Sequence, residues 1–201
     1  MVWFAAYADF LQKREFCAFL SLLKNKELPA ESYQLSVKDW KLSYGTIQSE
    51  PAQAFLKHEK DAFCYVHIYL ISLDQFCELA ARFSCGNRID FSSLQNGQVI
   101  GIPGAKRFYS HVAKISKFEN LDVLTFAPPL SVREQTPTVD YVQRLFSAYK
   151  AQFHHDSEHF LLYYLHNTFT DDAFTDDELM EIAAPEISQL DRDLRSRTVE
   201  Y

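Results

Sequence analysis

Two hydrophobic periods alternate along this chain and set the elements it predicts. Residues 2–7, Val-Trp-Phe-Ala-Ala-Tyr, form a short continuous apolar and aromatic run, as a strand covered on both faces would. Ala8, Asp9 and Phe10 break that run. Leu11, Phe16, Phe19, Leu20, Leu22 and Leu23 then recur at helical spacing among Lys13, Arg14 and Glu15. The order is strand, tight turn, amphipathic helix. A polar stretch at 25–32, with Pro29, closes that helix. Alternation returns at 33–37 and again at 40–44, which fits two short strands or one long strand bent at Lys38 and Asp39. Residues 48–61 are charged and contain Pro51, so they read as a loop over the sheet edge, with room for one helical turn at 52–56.

The strongest strand signal is 62–71. Phe63, Tyr65, His67 and Tyr69 fall on one face, and Cys64, Val66, Ile68 and Leu70 on the other. Ser72 is an N-cap candidate for a following helix with Asp74 in its first turn and Phe76, Leu79, Ala80 and Phe83 as its apolar stripe. Cys85, Gly86 and Asn87 punctuate its end. A candidate strand at 98–102 precedes alternation over 107–116, a turn at Glu119 and Asn120, and a returning strand at 121–126. Thr138 can cap a helix in which Tyr141 or Val142, Leu145, Phe146, Tyr149 and Phe153 share a face, and Asp156 with Ser157 opens another. Thr175 with Glu178 makes a capping box in an acidic tail. Strands come first and helices last.

Composition narrows the function classes. The 201 residues are 47% hydrophobic and 15% aromatic, enough for one core of ordinary size. Formal net charge is −7, and no basic cluster reverses that balance, so nucleic acid is disfavoured as a partner. No stretch near twenty apolar residues and no basic leader precedes the first strand, so the expectation is a soluble cytoplasmic protein with no membrane partner. Cys17, Cys64, Cys77 and Cys85 lack CxxC spacing and read as reduced thiols.

The opening stretch resembles that of gamma-glutamylcyclotransferase-like proteins, whose first strand ends in a Tyr-Gly-Ser-Asn turn that holds substrate through its backbone amides. Tyr7 matches the Tyr, and Ala8, Asp9 and Phe10 stand where Gly, Ser and Asn would be. Asp9 reads equally as an N-cap. Residues 65–83, the hairpin with Phe108, Tyr109 and 123–128, and the helices over 137–165 are similar to a bacterial branch of the same family. The resemblance implies an α+β domain at 1–167, a mixed barrel-like sheet flanked by helices, with an acidic helical C-terminal extension at 168–201. It implies no metal and no cofactor.

In that family a Glu just past the middle helix is thought to act as general base and acid. It takes a proton from the α-amino group so that the amine attacks the γ-amide carbonyl, releasing 5-oxoproline and an amine. Here the matching position falls at Phe83, or at Ser84 if the register slips by one, and neither accepts a proton at neutral pH. The preferred reading is a small-molecule or peptide-binding protein, a pseudoenzyme, that keeps a cleft lined by Tyr7, Ala8, Asp9, Phe10, Phe83 and Ser84. Its ligand would be a small gamma-glutamyl-like compound or a peptide. The alternative is an active gamma-glutamyl cyclotransferase or related amide-transfer enzyme with Asp9 or Glu78 as a displaced base, although Glu78 stands about one and a half turns back along the helix. A third reading is a partner-binding module using the aromatic helical end and the acidic tail.

Other constellations are weaker. His155 and His159 share an i, i+4 spacing beside His154, but the group sits at a predicted helix start and reads as solvated. Asp171, Asp172, Asp176, Asp177 and Glu178 lack the glycine and alternating ligands of a calcium loop. His67 reads as a core histidine bonded to backbone. No Gly-rich phosphate loop or nucleophile elbow is present.

Overall fold

Aromatic and β-branched runs become the strands of one mixed sheet, and the periodic segments become helices on it. The structure is a computed structural model and describes residues 1–8, 10–47, 51–86 and 94–153. The chain divides into two compact units, Met1–Gln135 and Thr136–Tyr201. The boundary expected at 167, the helix expected from Asp156, the histidine group and the acidic tail lie outside the described residues.

In the first unit the described strands are β1 (Val2–Ala6), β2 (Ser32–Thr46), β3 (Gln53–Ile71), β4 (Val99–Gly101), β5 (His111–Phe118), β6 (Leu121–Ala127) and β7 (Arg133–Glu134). They pair in the order β4-β5-β6-β1-β3-β2-β7. Only the β1–β6 pairing is parallel; every other pair runs antiparallel. All five residues of β1 are buried, which suits a central strand packed on both faces and accounts for its unbroken apolar run. Phe4 lies opposite Tyr69 of β3 on one side and Leu124 of β6 on the other.

The sheet curls into a half-barrel, and the two tryptophans fasten the curl. Lys114 and Ser116 of β5 pair with Leu124 and Val123 of β6, leaving Ile115 outside the register. Its carbonyl accepts a hydrogen bond from Trp40 Nε1 of β2 at 3.1 Å. Trp3 Nε1 of β1 donates to the Phe118 carbonyl at 3.1 Å, and its ring meets Phe118 and Tyr33 edge-on. A bulge thus supplies the acceptor that a regular strand would have spent on its neighbour.

β2 is one long strand bent at Lys38 and Asp39, where the register with β3 shifts and Asp39 takes a φ of 64°. The loop expected over 48–61 is corrected in its second half. Residues 53–61 open β3, so of the helical turn expected over 52–56, residues 53–56 are strand. Lys57 and His58 pair with Lys41 and Trp40 of β2 although they are exposed, and Glu59 to Asp61 lie in the register break, where Asp61 takes a φ of 65°.

Two helices of the first unit are described. α1 (Lys13–Leu20) buries Phe16 and Leu20, and α2 (Leu73–Ser84) buries Phe76, Leu79 and Ala80. Ser72 and Gln75 form a complete capping box, with Gln75 N–H donating to Ser72 Oγ and Ser72 N–H to Gln75 Oε1. Cys85 ends α2 in the left-handed region at φ 53°. The turn between β5 and β6 places both Glu119 and Asn120 at positive φ, as a two-residue hairpin requires. In the second unit, α3 (Val139–Phe153) buries Val142, Leu145, Phe146, Tyr149 and Phe153, and Thr138 Oγ1 accepts from Tyr141 N–H at 3.3 Å. No helix among the described residues is long and apolar enough to cross a membrane.

The β4 edge carries a pH signal. His111 pairs with Gly101, and its Nδ1 lies 2.9 Å from Ser110 Oγ. Burial lowers the His111 pKa below its ordinary 6.5. The unfolded chain therefore takes up the proton first, so stability is full above about pH 6.5 and falls as pH drops towards the folded value. Between about pH 7 and pH 5 the wild-type melting temperature should fall more than that of His111→Gln. Parallel profiles would remove His111 as the sensor.

Candidate functional site

The turn that leaves β1 is shaped by its neighbours more than by its own sequence. Leu11 N–H donates to the Ala8 carbonyl at 2.9 Å, closing the turn two residues before the helix begins. The N-cap position of α1 is Gln12, which makes no side-chain cap bond, so Asp9 does not stand at the N-cap. Asp9 itself lies outside the described residues. Beyond Ala8, the Phe10 and Leu11 carbonyls turn towards β3, where Tyr69 Oη lies 3.1 Å from each. His67 Nδ1 sits 3.0 Å from the Leu11 carbonyl and 3.0 Å from Tyr69 Oη.

Hydrogen placement follows from the partners. A carbonyl only accepts, so His67 Nδ1 carries a hydrogen and donates to Leu11, while the Tyr69 hydroxyl donates to the turn. The two rings stack 4.3 Å apart, and Tyr69 also stacks on Phe16 of α1. Burial is the first cause pushing the Tyr69 phenol well above its ordinary range, which keeps it a neutral donor. His67 is thus the backbone-bonded core histidine that its place on the strand suggested.

A cavity of about 40 Å³ opens beside this turn. Residues 4–8 and Phe10 form one wall, Phe83 of α2 another, and Tyr109 with Thr125 and Phe126 of β6 the third. Phe83 is half-buried, at the last turn of α2. Its ring stacks on Phe19 at 5.3 Å, meets Phe10 edge-on at 5.3 Å and Tyr109 at 6.1 Å, and lies 5.0 Å from Phe126. The hydroxyls are already committed: Tyr7 donates to the Phe126 carbonyl, Tyr109 to that of Ala54, and Thr125 to that of Ala5. No described lining residue is charged.

Of the residues expected at a cleft, Tyr7, Ala8, Phe10 and Phe83 line this one cavity. Ser84 does not line it. That side chain is fully buried, donating to the Ala80 carbonyl at 2.6 Å and accepting from Gly86 N–H. Glu78 lies on a different face of α2. Both its carboxylate oxygens accept from Lys24 N–H, at 2.9 and 3.1 Å, and Arg82 stands 3.4 Å away. It borders a separate surface groove with Lys24, Asn25, Asp74 and Cys77. Sequence reasoning missed Tyr109, Thr125 and Phe126: the parallel β1–β6 pairing brings Thr125 and Phe126 against β1, Tyr109 lies in the segment before β5, and a sequence pattern carries no sign of a partner strand so far along the chain. Among the described residues no cluster of three His, Cys, Asp or Glu could hold a metal ion.

No protein-family model matches the sequence, and no curated protein matches it. Among solved structures the chain is similar to YkqA from Bacillus subtilis, at 14% identity and a TM-score of 0.50, over 83% of this chain and 54% of that one. The chain therefore spans about half the length of that relative. It is also similar to a structure named gamma-glutamyl cyclotransferase, at 12% identity and a TM-score of 0.48, over 91% of this chain and 98% of that one. The curled mixed sheet with its helices is a gamma-glutamylcyclotransferase-like α+β fold.

Proposed function

We propose that this chain uses a gamma-glutamylcyclotransferase-like fold to bind a small molecule or peptide in the cleft between the β1 turn and the end of α2, without the cyclotransfer chemistry. One observation carries the reading. The Phe83 ring, which the family resemblance matches to the base Glu, packs among Phe10, Phe19, Tyr109 and Phe126 and lines the cavity. A phenyl ring can neither take the α-amino proton nor return it to a leaving amine, and losing a general base costs about two to four orders of magnitude in rate. Glu78, an alternative base, is engaged with Lys24 and Arg82 and does not line the cavity.

The test is mass-spectrometric detection of 5-oxoproline from a panel of gamma-glutamyl amines and dipeptides, with Asp9→Asn and Glu78→Gln run alongside. The expected result is no release above buffer from the folded wild-type protein or either variant. Release by the wild type that one variant abolishes would overturn the reading and identify the displaced base.

A further inference from the structure

The cleft's own chemistry narrows what it can hold. An anionic or zwitterionic ligand needs donors or opposite charge, yet no described lining residue is charged, and the Tyr7, Tyr109 and Thr125 hydroxyls donate to backbone carbonyls. What the described side chains offer is aromatic surface. Apolar cavities of about 150 Å³ stay dry and accept a benzene-sized ring, whereas this one measures about 40 Å³. A ring therefore fits only where one leaves; of the half-buried rings in the lining, Phe10 belongs to the turn and Tyr109 is tied to the Ala54 carbonyl, whereas Phe83 stands at the end of α2.

Building on the binding role above, we propose that the cleft takes a neutral aromatic ring and that Phe83 is its resident stand-in, displaced as the ligand enters. Phe83 already samples what such a ligand would meet: a stacked face from Phe19, the edges of Phe10 and Tyr109, and a tilted face from Phe126. Ligand and side chain compete for one set of contacts. Wild-type affinity is accordingly lowered by the fraction of time the ring spends inside.

Amide NMR titration of the full chain with indole, and separately with gamma-glutamylalanine, tests this. Indole should shift the Ala8, Tyr109 and Thr125 signals of the wild type. It should bind Phe83→Ala roughly tenfold more tightly, the scale of one aromatic pair contact. Phe83→Leu keeps apolar bulk without the ring, so it should also gain, by a few-fold, and it serves if the alanine variant fails to fold. Equal indole affinity in wild type and variants overturns the stand-in role. Shifts with gamma-glutamylalanine and none with indole overturn the ligand class while leaving the cleft as a binding site. Silence from both probes in every variant overturns the class and the binding role together.

Discussion

Replacing Trp3 with Ala should lower the unfolding free energy by about 3–5 kcal/mol, the range for deleting a fully buried large aromatic. The residue is wholly inaccessible, lies on the central strand, and joins β1 to the far end of the β5–β6 hairpin through its indole N–H and two edge-on ring contacts. Against a typical total of about 5–15 kcal/mol, that loss is a large share. Chemical denaturation of wild type and variant measures it, with Tyr33→Ala as the control. Tyr33 is 42% exposed and meets the same indole only at its edge, so its loss should cost about 1 kcal/mol. Equal costs for the two variants would mean that the indole is not what fastens the curl.

Tyr69→Phe is the second large effect, and it separates the shape of the turn from its packing. The ring, its stacking on Phe16 and its burial all survive; only the hydroxyl goes. The Phe10 and Leu11 carbonyls then lose the Tyr69 hydroxyl, and from β3 only His67 remains on the turn, through Leu11. Leaving a buried acceptor without a partner costs about 1–3 kcal/mol. Because the turn forms one wall of the cavity, amide signals of Ala8 and Phe10 should move along with the loss of stability. A variant as stable as the wild type with an unmoved turn would show that packing alone sets its shape.

Much of this architecture was legible in the residues, and the failures have physical reasons. β1 was readable because a strand covered on both faces needs an unbroken apolar run. α2 was readable because Ser72 and Gln75 satisfy its first amides locally. The β5–β6 turn was readable from Glu119 and Asn120. The first half of β3 was not, because residues 57–61 are exposed and charged, and residues 53–58 are held as strand by pairing with β2 rather than marked by alternation. The start of α1 was placed too early because Leu11 is fully buried and fits the helical period, yet it belongs to the turn.

The site was half legible for a related reason. Tyr7, Ala8 and Phe10 follow β1 directly, and Phe83 lies on the apolar stripe of α2, so local pattern reached them. Thr125 and Phe126 depend on which strand pairs with β1 and Tyr109 on the course of the segment before β5, choices made by the whole sheet. Ser84 was assigned to the cleft by its neighbour's position, but its hydroxyl is turned back to the Ala80 carbonyl one helical turn earlier.

The parallel pairing of β1 with β6 also decides how the chain can be divided. Two hairpins, β2 with β3 and β5 with β6, are closed by neighbouring stretches of sequence, whereas β1 must find Val123 and Leu124 across nearly the whole first unit. Two of the cleft's three walls draw on that union, since the β1 end supplies one side and Thr125 with Phe126 another. No excised hairpin, helix pair or N-terminal fragment ending before β6 can carry the cavity. Permuted chains keep it only if their new termini leave β1 seated between β3 and β6.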